Sequence, residues 1–95
     1  MTVPEFELSN NYLNPFNSTA TIHYKIPDNC MVNLTIYDTT GRVIKILRNE
    51  YQTAGNYVIQ WQGDDHSGRP VSSGVYYYQL KTNDTIQTKK MMLLK

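Results

Sequence analysis

Apolar residues recur at every second position along most of this chain, and this spacing limits the folds open to it. The segment 19–26 shows it most clearly, because Ala20, Ile22, Tyr24 and Ile26 alternate with polar residues. Successive side chains of a β-strand point to opposite faces, so a period of two indicates strands with one buried face. No window longer than about ten residues keeps the spacing of an amphipathic helix. The sequence therefore predicts an all-β fold.

Turn-forming residues divide the chain into short strands, spaced about 8 to 12 residues apart. Glycine, proline, asparagine and aspartate supply the backbone conformations that tight turns need. The predicted strands, beginning with a short edge strand, are 5–8, 19–26, 31–37, 42–47, 57–61, 73–80 and 85–95. A polar connection is expected at 48–56 and a polar loop at 63–70. This arrangement predicts an antiparallel β-sandwich of about seven strands.

The alternating faces also predict the core. Eight tyrosines and one tryptophan in 95 residues suit a small sandwich, since aromatic side chains bury large areas and pair across strands. The predicted core residues are Ile22, Tyr24, Ile26, Val32, Leu34, Ile36, Tyr57, Ile59, Trp61, Tyr76, Tyr78 and Leu80.

Charge and cysteine content argue against several functional classes. Nine lysines and arginines stand against eight acidic residues, and the formal net charge of +1 gives little support to nucleic-acid binding. No apolar run approaches the roughly 20 residues of a membrane-spanning helix, so membrane insertion is not expected. Cys30 is the single cysteine, and with two histidines it makes a zinc site of the Cys/His type untenable. We expect no disulfide, no metal and no cofactor.

The loop 63–70 contains the residue types of several catalytic sites. Asp65, His66 and Ser67 are consecutive, whereas the members of a hydrolytic triad converge from separate segments. Asp64 and Asp65 could offer oxygen ligands to calcium, but their spacing is not that of an EF-hand. Aspartate and glycine commonly form turns between strands. We expect a turn here, no catalytic residue, and a protein that is not an enzyme.

The row Tyr76–Tyr78, or Trp61, offers a hypothesis of carbohydrate binding, because aromatic rings stack on planar ligands. Neighbouring residues on a strand face opposite sides, so two of the three tyrosines are expected in the core. A carbohydrate-binding module is therefore kept only as an alternative.

The last predicted strand combines an apolar stripe with lysines. Lysines commonly protect an edge strand from aggregation, whereas an open edge with apolar side chains suits strand addition to a partner. Terminal segments fray unless a sheet holds them, so this strand either completes the fold or is recognised by a partner. Physical reasoning leaves both open. Sandwich edges of this kind also allow weak dimerisation through strand pairing.

Several motifs, taken in order, resemble one family. They are N-Y-L-N-P-F-N-S-T at 11–19, L-T-I-Y-D-T-T-G-R-V at 34–43, A-G at 54–55, W-Q-G-D-D at 61–65, G-R at 68–69, S-G-V-Y at 73–76 and K-K-M at 89–91. The set resembles the type A C-terminal sorting domain of type IX secretion, which is similar to the Ig-like domain of flagellar hook-capping proteins. Leu13, Ser18 and Gln62 depart from the family pattern.

The resemblance implies an Ig-like C-terminal sorting domain at 11–95, with 1–10 as a linker or the end of an upstream region. Such a domain directs a larger secreted protein of a Gram-negative bacterium through the periplasm, across the outer membrane and to the cell surface. The implied partners are outer-membrane secretion components, a sortase-like protease and an upstream cargo domain in the same polypeptide. The family carries its recognition information in the last strand, here Lys89, Lys90, Met91, Met92, Leu93, Leu94 and Lys95. A structural Ig-like spacer or assembly module is the main alternative.

Overall fold

The computed structural model of this chain describes residues 7–8, 12–13, 19–83 and 85–94. Within these ranges the chain forms six strands of seven to ten residues and two strands of two residues. The strands are β1 (Glu7–Leu8), β2 (Tyr12–Leu13), β3 (Ala20–Ile26), β4 (Cys30–Tyr37), β5 (Val43–Gln52), β6 (Gly55–Trp61), β7 (Gly74–Lys81) and β8 (Ile86–Leu93). No helix that could cross a membrane occurs in the part of the chain described.

The strands form two antiparallel sheets. In the first sheet β3 is central, with β6 along one edge and the short β1 and β2 along the other. The second sheet has the strand order β5-β4-β7-β8, so β5 and β8 are its edges. The prediction of an all-β fold built from antiparallel sheets is confirmed.

The core lies between the inward faces of these two sheets. Of the predicted core residues, all are buried except Tyr57 and Ile59, which are half-buried and pack against the others. The structure adds Ala20, Cys30, Ile44, Met91 and Leu93 to the core. The hydrophobic effect of this shared interior is what holds one sheet against the other.

The strand β5 is longer than the sequence predicted. A strand of 42–47 followed by a polar connection at 48–56 was expected, but β5 continues to Gln52 and only two residues separate it from β6. The register of β5 against β4 shifts twice, which leaves Ile44 and Leu47 unpaired. Each such β-bulge interrupts the period of two, so the pattern hides the second half of the strand. That part of the prediction was wrong.

The two short strands pair with opposite ends of the same edge of β3. β1 lies within the edge strand predicted at 5–8, whereas β2 was not predicted, because a strand of two residues has no period to detect. The remaining residues of 1–10 and most of the opening motif at 11–19 lie outside the described residues.

Candidate functional site

The last strand, β8, forms one edge of the second sheet. It pairs with β7 along its whole length, and the register places Met91 opposite Tyr76. The connection between the two strands is short, and the N–H of Thr82 donates to the carbonyl oxygen of Thr85 at 2.9 Å. A tight connection of this kind fixes the register, and the register decides which side chains of β8 face the core.

Two of the seven predicted recognition residues belong to the core. Met91 and Leu93 lie on the inward side of β8, with 3% and 0% of their surfaces exposed. Burying a side chain of this size stabilises the fold by roughly 1.5–3 kcal/mol. These two residues therefore complete the fold, and a partner would have to open the sandwich to contact them.

The other residues of the predicted set lie outside the core. Lys90, Met92 and Leu94 point to solvent, with 52% of Met92 and 63% of Leu94 exposed. Lys89 is half-buried, and Lys95 lies outside the described residues. The alternation of β8 thus separates a stabilising row of side chains from an accessible row.

Among the described residues no strand pairs with the outer edge of β8, although β1 of the other sheet lies close to the strand. An open edge of this kind presents backbone N–H and C=O groups to an incoming strand. Exposed side chains beside such an edge supply the selectivity that backbone hydrogen bonds alone lack. The edge of β8 and its exposed side chains are therefore suited to binding a polypeptide, and none of the side chains named here is placed to act as a nucleophile.

The hairpin between β4 and β5 is held by the carboxylate of Asp38. Its Oδ1 accepts hydrogen bonds from the N–H and hydroxyl of Thr40, at 2.9 and 2.6 Å, and from the N–H of Arg42 at 3.0 Å. These bonds, those from Thr40 first, lower the pKa of Asp38. Gly41 has a φ of 87°, as its position in the turn predicted. This motif therefore builds a turn.

The polar loop 63–70 uses Asp65 in the same way. Asp65 Oδ1 accepts from the N–H groups of Ser67 and Arg69, at 2.9 and 3.0 Å, and the bond from Arg69 is the main cause of its lowered pKa. The expected turn is confirmed. Within the described residues, no group of three or more His, Cys, Asp or Glu could hold a metal ion.

Asp64 and Trp61 fasten this loop to the strands. Asp64 Oδ2 lies 2.7 Å from Lys45 Nζ on β5, and the backbone carbonyl of Asp64 accepts the indole N–H of Trp61 at 2.8 Å. The other carboxylate oxygen of Asp64 is buried with no hydrogen-bond partner in the described residues. Trp61 and Asp64 of the W-Q-G-D-D segment thus link β6, the loop and β5.

The aromatic platform proposed for carbohydrate binding does not form. Trp61 is fully buried and contacts the ring of Tyr76 edge-on at 5.2 Å. Tyr76 and Tyr78 also face the core, as strand alternation predicted, which leaves Tyr77 as the outward member of the row. The hypothesis of a carbohydrate-binding module loses the residues on which it depended.

The sequence did not reveal which residues lie beside the accessible row of β8. The register brings Tyr77 next to Lys90 and Val75 next to Met92 on the solvent side of the sheet. These neighbours come from β7, and strand pairing alone places them there. Alternation could have separated the two rows of β8, but only the pairing with β7 shows which row faces inward.

The family model of the FlgD Ig-like domain matches residues 10–85. The match ends immediately before β8. A search of curated proteins finds no relative of this chain.

Three solved structures are similar to this chain. FlgD from P. aeruginosa is 22% identical with a TM-score of 0.65, over 90% of this chain and 67% of that one. Dimeric latent PorU from Porphyromonas gingivalis is 20% identical with a TM-score of 0.69, over 95% of this chain. PorZ from the same organism, an essential bacterial surface component of the type IX secretion system, is 20% identical with a TM-score of 0.62, also over 95%.

This chain spans only 9% of the PorU chain and 11% of the PorZ chain. At these sequence identities the likeness shows the fold alone. Together with the family match, it makes the sandwich an Ig-like one.

Proposed function

We propose, from the premise that this chain belongs to the FlgD Ig-like domain family, that it is a C-terminal signal for type IX secretion. It directs a larger secreted protein from the periplasm across the outer membrane to the cell surface. Its partners are outer-membrane secretion components, a sortase-like protease and the cargo domain upstream. Its role is recognition, without a catalytic site of its own. The ordered motifs and the likeness to part of PorZ support this assignment.

The observation that carries the proposal is the division of β8 into two rows. Met91 and Leu93 fix the strand in the core, and in consequence Lys90 and Met92 are displayed in one register beside the edge, with Leu94 exposed directly after the strand. A segment that is already ordered loses less conformational entropy when it binds than a flexible tail does. A folded strand of this kind is therefore suited to recognition by a partner.

A second candidate, a structural Ig-like spacer, is favoured by the family match itself. That match ends at residue 85, so it covers β2 to β7 and does not include β8. A spacer needs the inward row of β8 for stability but makes no use of the outward row. The two functions thus differ in what they require of Lys90, Met92 and Leu94.

The test is surface display of a reporter fused upstream of this chain in a Gram-negative host with type IX secretion. Deleting residues 89–95 would also remove Met91 and Leu93, so loss of export could reflect unfolding. The sharper variant is Lys90→Ser, Met92→Ser and Leu94→Ser combined. Its matched control is Asn56→Ser, Val58→Ser and Gln60→Ser, which alters the outward row of β6, an edge strand of the other sheet.

Removing three central contact residues should lower surface reporter by at least about tenfold, whereas the β6 control should export normally. Circular dichroism of the purified domains should show both variants folded, since neither touches the core. Normal export of the folded β8 variant would contradict the sorting function and leave the spacer.

A further inference from the structure

The solvent side of the β5-β4-β7-β8 sheet is unusually apolar. We call it the outer face and define it by the outward residues of the four strands. Residues paired directly across an antiparallel sheet point to the same side, so the register identifies the members. They are Val43, Ile46, Asn49, Tyr51, Met31, Asn33, Thr35, Tyr37, Val75, Tyr77, Gln79, Lys81, Ile86, Thr88, Lys90 and Met92.

Exposed hydrophobic side chains concentrate on this face. Among the described residues, eight large hydrophobic side chains are exposed, and six of them belong to the outer face: Met31, Val43, Ile46, Tyr51, Ile86 and Met92. On β3 and β6, the strands of the other sheet whose side chains the structure describes, Val58 is the one outward residue in the same set. A concentration of exposed apolar side chains on one face is typical of an interaction surface.

The outer face is also concave and carries amide groups. A groove of about 400 Å³ runs across it, with Met31, Val43 and Ile46 beside the amide side chains of Asn33, Asn49 and Gln79. A second concavity of about 500 Å³ adjoins it at Tyr37 and Tyr77. Amide groups among apolar ones match a polypeptide, which offers both apolar side chains and backbone hydrogen-bond partners.

Lysines supply the charge among the members of the face, at Lys81 and Lys90. One carboxylate lies beside them: Asp38 lines the second concavity, where it already accepts hydrogen bonds from Thr40 and Arg42. Glu50 pairs with the inward-facing Val32 and so belongs to the opposite side. With a rise of about 3.3 Å per residue and strands about 4.8 Å apart, the two lysines lie about 14 Å from each other. Carboxylates four positions apart on an extended segment would span about the same distance.

We propose that the outer face binds an extended acidic polypeptide segment whose carboxylates pair with Lys81 and Lys90 and whose apolar side chains enter the groove. Bilayer hydrocarbon has no hydrogen-bond partners for the amides, so burying them there would be costly. A second copy of the chain, docked face to face, would bring lysines together with no carboxylate among the members of the face to pair them. The proposal does not depend on the sorting function.

Selection from a displayed library of random dodecapeptides tests the proposal directly. The bait is the whole chain, and the counter-selection uses Met31→Ser with Ile46→Ser, which alters the groove and leaves β8 unchanged. Enriched peptides should combine apolar residues with at least two acidic ones. Fluorescence anisotropy should show at least about tenfold weaker binding to Lys81→Glu with Lys90→Glu, and no change for Val58→Ser.

Three results would overturn the proposal. They are failure of any peptide to enrich, enrichment of peptides without acidic residues, and retained binding to the Met31→Ser, Ile46→Ser variant. Stronger binding to phosphatidylglycerol vesicles than to the peptides would make a membrane the ligand. Concentration-dependent dimerisation that Ile46→Ser abolishes would make a second copy the occupant. None of these readouts depends on export, so the two proposals fail independently.

Discussion

At the scale of single residues, two aspartates of this protein hold its turns. Asp38 and Asp65 each accept backbone hydrogen bonds from residues two and four positions later. Both turns lie near the start of β5, since the Asp38 turn precedes Val43 and the N–H of His66 in the other turn donates to the carbonyl oxygen of Ile44. Asp65, which the sequence offered as a candidate catalytic or calcium-binding residue, thus has a structural role in its turn.

These two carboxylates should make stability depend on acidity. Hydrogen bonds lower the pKa of both groups in the folded state below the ordinary value of 3.8. The unfolded chain then takes up protons first, so the contribution is present above that value and is lost as pH falls through the lower folded pKa. Urea midpoints from pH 5 down to about pH 2 should fall less for Asp38→Asn with Asp65→Asn than for the unaltered chain.

Other carboxylates can also make stability depend on pH, so some acid dependence of the urea midpoint should remain in the Asp38→Asn, Asp65→Asn variant. An identical acid slope in the variant would show that the turn carboxylates do not couple to folding. Asp28→Asn is the control, because Asp28 lies exposed in the turn between β3 and β4.

At the scale of elements, β8 has two rows of side chains that differ by the parity of residue number. Odd-numbered residues such as Met91 and Leu93 fill the core, and even-numbered ones such as Lys90 and Met92 face solvent. The sequence could predict this alternation but not its phase, which the pairing with β7 decides. The part of β5 after Leu47 was not predicted as a strand, because the bulges at Ile44 and Leu47 change the phase of the alternation twice within β5.

Substitutions in β8 should therefore alternate in their effect on stability. Leu93→Ala should cost about 2–5 kcal/mol of unfolding free energy, since it leaves a cavity in the core. Met92→Ala, one position earlier, should change stability by no more than about 0.5 kcal/mol. Urea unfolding followed by circular dichroism measures both. Equal effects at the two positions would mean that the strand does not hold its register in solution.

At the scale of the whole molecule, both sheets depend on one interior. Tyr24 on β3 donates its hydroxyl to Gln52 Oε1 on β5 at 2.6 Å, a buried bond between the two sheets. Burial is the main cause that raises the pKa of Tyr24. The fold class followed from residues such as Ile22 and Leu34, whose period of two is regular. The link through Gln52 could not be foreseen, because a polar residue among polar neighbours carries no sign of its distant partner.

A single core predicts a single unfolding transition. Trp61 is fully buried and contacts Tyr76 of the second sheet, so its fluorescence reports the packing between the sheets, while far-ultraviolet circular dichroism reports the strands. Denaturation curves from the two probes should coincide, as for other small two-state domains. A fluorescence transition that precedes the dichroism change would show that the core loosens before the strands unfold. In a chain shortened after Asn83, which lacks β8, both signals should already indicate unfolding in buffer.

The length of the connection between β7 and β8 determines which side chains of β8 face the core. One extra residue carried from this turn into the strand would rotate every side chain of β8 by half a turn. Thr88 and Lys90 would then take inward positions, and Met91 and Leu93 would face water. A change in the number of residues between Lys81 and Ile86 would therefore alter the core and the exposed row together, whereas substitutions at even-numbered positions of β8 alter the exposed row alone.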